Sequence, residues 1–196
     1  MPFVPFPTWS AGFVVLLPSD YVALRRAAPA RSTTSRRTDV KSLVERALSL
    51  ATCALGVPRP PLHFPDALEN AQANRHGIWV DLDWAGRVLD SLCVEDSRRE
   101  HLALAIVAHE LAHNVDPWLD EPTVTSWRKE LFADWVAGAV LAMAGASLSE
   151  FVAFVERTSR LPTPTHPDAT QRVSALASGW AHAAPATRGR AVQHVC

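Results

Sequence analysis

The 196-residue chain predicts an α+β fold, mostly helical with one small sheet. Two apolar runs with helical spacing, around residues 102–113 and 130–140, predict long buried helices. Between residues 77 and 83, Ile78, Val80 and Leu82 alternate with Trp79, Asp81 and Asp83, the period-two pattern of a half-buried strand. With 48% hydrophobic residues and a formal net charge of −1, the chain suits one soluble domain with its own core.

In chain order, residues 1–38 read as an irregular N-terminal segment with a short strand at 13–17. A helix follows over 40–55, capped by Thr38 or Asp39 and stopped by Gly56 and Pro58. A short strand is expected at 62–64, the alternating strand at 77–83 and a helix at 84–92. Asp96 or Ser97 caps the next helix, which Pro117 ends. Further helices are expected from Glu130, near 148–157 and over 167–178, then a disordered tail over 181–196. The folded domain is thus placed at 39–180.

The helix over 102–113 carries His109-Glu110-Leu111-Ala112-His113, an H-E-x-x-H sequence. Residues four apart share one helix face, about 5–6 Å apart at Cβ, so both imidazoles can grip one ion. Glu110 sits where it reaches a water on that ion rather than the ion itself. This is the zinc-peptidase arrangement of two ligands, a base and an open position. Leu102, Ala103, Leu104, Ala105, Ile106, Val107 and Ala108 make the preceding turns apolar, so the helix should be buried. Buried ionisable groups cost several kcal/mol each unless they pair or bind metal.

A catalytic zinc takes three protein ligands. Glu130 opens the next apolar helix, leaving room for a loop and an antiparallel return. Asp134 lies one turn on and shares its face, placed to accept the free ring N–H of His109 and fix that imidazole's tautomer. Asp116 and Asp120 are rival ligands. Neither provides the third histidine of H-E-x-x-H-x-x-G-x-x-H, since position 119 is Leu and position 116 is Asp rather than Gly.

Three blocks carry a resemblance to a known family: His109–His113 itself, Glu130-Leu131-Phe132-Ala133-Asp134-Trp135-Val136-Ala137-Gly138, and Thr165-His166-Pro167 followed by Arg172-Val173. Asn70-Ala71 and Gly77-Ile78-Trp79-Val80-Asp81-Leu82 form a weaker fourth. In these the chain resembles the gluzincin metallopeptidases of the HtpX/BepA type, which include the CAAX prenyl endopeptidases and Oma-type proteases. The resemblance covers about residues 41–178. It implies a zincin-like domain with one Zn²⁺ per chain held by His109, His113 and Glu130, with Glu110 as general base and Asp134 behind the ligands. It also implies that His166 sits near the open zinc position, either stabilising an oxyanion or capping the metal, and that Arg172 supports that segment by pairing with a carboxylate. Asn70 and Ala71, with Gly77, Ile78, Trp79 and Val80 as the edge strand of the active-site sheet, are the implied substrate-binding residues.

These readings give a zinc endopeptidase acting on protein or peptide, its extended substrate paired to the edge strand at 77–82. Two alternatives stand beside it: a zinc-stabilised regulatory or binding module whose metal is capped by His166, and a narrow regulatory protease cutting one partner. Nucleic acid is not an expected partner. Arg25, Arg26, Arg31, Arg36, Arg37 and Lys41 form a basic stretch without aromatic residues, read as a flexible solvated segment. The longest uncharged run, 135–149, falls short of a membrane span. Cys53, Cys93 and Cys196 form no paired motif and read as free thiols, pointing to a cytoplasmic protein.

Overall fold

The computed structural model describes residues 33–93, 95–116, 121, 123–159 and 161–187, with backbone alone at 33–35 and 185–187. Its elements run α1 (Thr33–Leu55), β1 (Leu62–His63), β2 (Ala71–Asn74), β3 (Gly77–Val80), α2 (Leu82–Leu92), α3 (Asp96–Val115), α4 (Ser126–Met143), α5 (Ser149–Thr158) and α6 (Ala169–Thr187). The fold is α+β and predominantly helical, as expected. The strand expected at 13–17 lies outside the described residues. Among those described, no helix is long and apolar enough to cross a membrane.

Helix α3 is the axis of the molecule. Every residue from Leu102 to His113 is buried, because α1, α4, α5 and the sheet all pack on it. An apolar run with no polar face finds no stable place except the centre. Val40, Val44 and Leu48 of α1 join this core from one side, and Ala133, Ala137 and Val140 of α4 from another.

Helix α1 begins at Thr33 rather than near residue 40, so residues 33–38 are helical and not irregular. Polar residues there are held from other elements. Arg37 pairs with Asp66 at 2.7 Å and Asp83 at 2.9 Å, and Arg36 pairs with Asp90. The part of the basic stretch that is described is therefore a tethered helix face, not a flexible segment.

The sheet has the order β1-β3-β2, with β1 parallel and β2 antiparallel to β3. This corrects the expected role of Gly77, Ile78, Trp79 and Val80: they form the central strand, and β2 is an edge. The Ile78 N–H goes to Pro61 of the β1 side, and the Asp81 N–H to Asn70 on the β2 side. Antiparallel pairing alternates, so Gln72 and Asn74 bond β3 while Ala71 and Ala73 turn their N–H and C=O groups away from it; Ala71 is buried and Ala73 half-buried. The strand also stops at Val80. Asp81 caps α2 by accepting from the N–H groups of Asp83 and Trp84 through Oδ1, and its Oδ2 accepts from Glu69, which has positive φ.

Helices α4 and α6 touch backbone to backbone. A Cβ on Gly138 would lie 2.0 Å from the Leu176 carbonyl oxygen, and one on Gly179 would lie 1.8 Å from that of Trp135. This contact carries α6 beyond residue 180 to Thr187, into the stretch expected to be disordered. It also brings Arg172 under α4. Of the cysteines, Cys93 is free and buried but Cys53 is disulfide-bonded. The all-thiol expectation is corrected, and the argument from cysteines to a cytoplasmic setting loses its basis.

Candidate metal centre

His109, Glu110 and His113 lie on the last two turns of α3, and Glu130 and Asp134 on the first half of α4. The close packing of α3 on α4 turns these faces together. His109 Nε2 lies 3.2 Å from His113 Nε2. Glu130 Oε1 lies 3.2 Å from His113 Nε2, and Oε2 lies 3.4 Å from His109 Nε2. Among the described residues these three form the group with the spacing of metal ligands.

The protonation pattern follows from the groups behind. Arg172 donates to both oxygens of Asp134, from Nε at 2.7 Å and from Nη2 at 2.8 Å, so this carboxylate is ionised and only accepts. His109 Nδ1, 2.9 Å from Asp134 Oδ1, must therefore carry the ring proton. That leaves the Nε2 lone pair aimed into the site. The oxygens of Glu130 are buried and accept no hydrogen bond. Lone pairs of two imidazoles and one carboxylate thus converge on one point, which is unfavourable unless a cation lies among them.

Spacing and charge both fit a metal. An ion with tetrahedral bonds of about 2.0–2.1 Å separates its donors by roughly 3.3 Å, and the three observed separations are 3.2, 3.2 and 3.4 Å. Glu110, Glu130 and Asp134 are three carboxylates facing one guanidinium, Arg172, all at most 1% exposed. With the imidazoles neutral and all three carboxylates ionised, two negative charges remain for a divalent ion to balance. These residues could hold a metal ion.

The buried charges shift one another. Burial disfavours the His109 imidazolium, but the hydrogen bond and charge of Asp134, then Glu130, outweigh it and push the group up to about 10, so that without an ion a proton competes for Nε2. Burial also disfavours the Glu130 carboxylate, yet the His109 and His113 rings against its two oxygens hold it well below the usual range. Asp134 is likewise lowered against its burial, by Arg172. Glu110 goes the other way: desolvation raises it, and the nearby histidines only partly oppose this. Burial lowers His166.

The remaining expected residues divide. His166 reaches the site with Nε2 3.7 Å from Glu130 Oε2. Arg172, fully buried, does pair with a carboxylate, that of Asp134, and also donates from Nη1 to Ser159 Oγ at 3.0 Å. Asn70 is buried just before β2 with both side-chain polar atoms unpartnered, and Ala71 is on the edge strand. Gly77, Ile78, Trp79 and Val80 are in the central strand, away from any free edge. Asp116 caps the end of α3 outside the ligand group, and Asp120 lies outside the described residues.

Sequence reasoning missed Asn114, Ser159, Trp127 and Thr163, and gave Thr165 no role beyond its place in the third block. Asn114 follows the second histidine, and its Nδ2 donates to the Asn74 carbonyl, tying α3 to the end of β2. Its place directly after His113 was the available signal. The others act on loop backbone or across helices and follow no spacing rule. No protein-family model, curated protein or solved structure matches the chain.

Proposed function

We propose that the chain is a zinc-dependent endopeptidase of the gluzincin type, with a zincin-like domain and His109, His113 and Glu130 as the metal ligands. The observation that carries this reading is the trio of donor separations, 3.2, 3.2 and 3.4 Å, beside a buried glutamate with an unpartnered oxygen. Two imidazoles and a carboxylate are the donor set of a catalytic zinc that keeps one position open. A zinc ion held there would polarise a scissile carbonyl and lower the pKa of a bound water towards 7.

The chain's own residues supply the rest. Glu110 projects from the turn between the two histidines and takes the proton of the attacking water; its raised pKa lets it hand that proton to the leaving amine. Asp134, ionised by Arg172, keeps His109 in the tautomer that offers Nε2. The N–H and C=O groups of half-buried Ala73, which face away from β3, pair with an extended substrate, replacing the strand first expected to do so. Backbone pairing over a four-residue strand reads little side-chain identity, so flexible or unfolded segments are the substrate class.

A module with its metal capped by His166 is the second reading, favoured by the 3.7 Å approach of Nε2 to Glu130. Burial of Glu110 between the ligands argues against it, since a closed structural site has no use for a base. The test is cleavage of casein by the wild type and Glu110→Gln, with zinc measured in both. The variant keeps its zinc, and its rate falls about 10²–10⁴-fold, the usual worth of a general base. Near wild-type cleavage by the variant refutes the assignment, and a zinc-loaded wild type that cleaves nothing favours the capped module.

A further inference from the structure

His166 is held on a short strap between α5 and α6 whose hydrogen bonds select one ring tautomer. At its neck, the Ala169 N–H donates to the Ser159 carbonyl at 2.7 Å. Within it, the Thr163 N–H donates to the His166 carbonyl at 2.9 Å, closing a turn. The indole N–H of Trp127, in the first turn of the helix bearing Glu130, donates to the Thr163 carbonyl at 2.7 Å. The ring is thereby fixed to the same helix as the carboxylate it faces.

The hydroxyls of Thr163 and Thr165 meet the outer ring nitrogen. Thr163 Oγ1 accepts the N–H groups of His166 at 2.9 Å and Thr165 at 3.3 Å, which fills its two lone pairs. Its own O–H is left to donate, and Thr165 Oγ1 at 3.4 Å and His166 Nδ1 at 3.5 Å lie within its reach. Thr165 Oγ1 lies 2.8 Å from Nδ1, the shortest contact of the ring. Both hydroxyls can donate to Nδ1, which accepts them when the ring proton sits on Nε2. On the inner side, Nε2 is buried, unpartnered and 3.7 Å from Glu130 Oε2. A bare lone pair there would face a carboxylate at low dielectric, whereas an N–H is attracted to it.

We propose that Thr163 and Thr165, with Trp127 as the latch, are positioning residues that keep the His166 proton on Nε2, so that the ring faces the metal centre as a hydrogen-bond donor and not as a fourth ligand. The proposal rests on the peptidase reading only for what the donor serves, a developing oxyanion. The tautomer stands or falls by itself.

The test is the tautomer of His166 in the full chain labelled with ¹⁵N-histidine, metal-free and zinc-loaded, with signals assigned by loss in His166→Gln. Nε2 is expected to be the proton-bearing nitrogen in both states. Thr165→Val should shift the ring towards the Nδ1–H form and lower kcat roughly 10-fold, short of the 10²–10³ lost with a whole oxyanion donor, with KM and zinc content unchanged. Thr165→Ser should restore both tautomer and rate. A proton on Nδ1 in the wild type, or zinc loading that moves it there, overturns the proposal. So does a tautomer indifferent to Thr165→Val. Should the chain cleave no peptide while Nε2 carries the proton, the peptidase reading fails and the tautomer assignment survives.

Discussion

Arg172 grips Asp134 with two parallel hydrogen bonds, Nε to Oδ2 at 2.7 Å and Nη2 to Oδ1 at 2.8 Å, where neither side chain has any exposure to solvent. A guanidinium and a carboxylate buried this fully leave each other no alternative partner of equal strength. The pair fixes α6 to α4 and, through Asp134, aims His109.

Breaking that pair should be costly. Arg172→Ala leaves the Asp134 charge buried and uncompensated, which typically costs about 3–5 kcal/mol. Urea unfolding of Arg172→Ala, Asp134→Leu and the double variant measures it. The double variant should be less destabilised than the sum of the singles, and strict additivity would show the two charges to be uncoupled.

Metal affinity should follow the order of contact. Glu130→Gln should lose most bound zinc, while Asp134→Asn should weaken binding by about 10–100-fold, the usual effect of a group behind a ligand. Competition with a chelating dye gives both values. Zinc at a hundred times its Kd should stabilise the wild type by about 2.7 kcal/mol in the same unfolding assay. Unchanged affinity in Glu130→Gln would remove this residue from the ligand set.

Cys93 supplies a pH test away from the metal. Burial pushes its thiol up from 9.0 to about 11, a shift that the nearby Glu150 charge reinforces. The folded chain keeps this proton to higher pH than the unfolded chain, so the contribution is fully present below pH 9 and is lost as pH rises towards 11. Alkylation of the Cys93 peptide, followed by mass spectrometry, should stay slow at pH 9 and rise with a midpoint near 11. A midpoint at or below 9 would contradict the burial.

The α4–α6 contact predicts a contrast between glycines. Gly179→Ala puts a methyl group 1.8 Å from a carbonyl oxygen, and should cost about 3 kcal/mol or more, since backbone must move. Gly86→Ala meets side chains and no backbone, Arg36 Nε at 3.2 Å and Val40 Cγ2 at an ordinary 3.5 Å. It should cost under about 1 kcal/mol, because helix propensity favours alanine. Thermal unfolding of the two variants, side by side, decides it.

The helices bearing the site were legible because their signals are local. His109 and His113 are one turn apart, as are Glu130 and Asp134, and helical spacing alone puts each pair on one face. The sheet was not legible in the same way. The alternation at residues 77–83 marks a strand but says nothing of its neighbours, and its order depends on pairing with Leu62–His63 and Ala71–Asn74. The start of α1 was hidden because Arg36 and Arg37 look like solvated charge until Asp66, Asp83 and Asp90 arrive from elsewhere. The extent of α6 depends on Gly179 meeting Trp135, a contact between distant parts of the chain.

The line from His109 through Asp134 and Arg172 to Ser159 crosses α3, α4, α6 and the end of α5 by direct bonds between side chains. An ion seated at one terminus would therefore be felt at the other. Amide hydrogen exchange at the strap's neck, around Ser159 and Ala169, becomes a gauge of whether the centre is filled. Filling the site would slow exchange at that neck and emptying it would speed it, with the ring of His166 held by its strap in either condition.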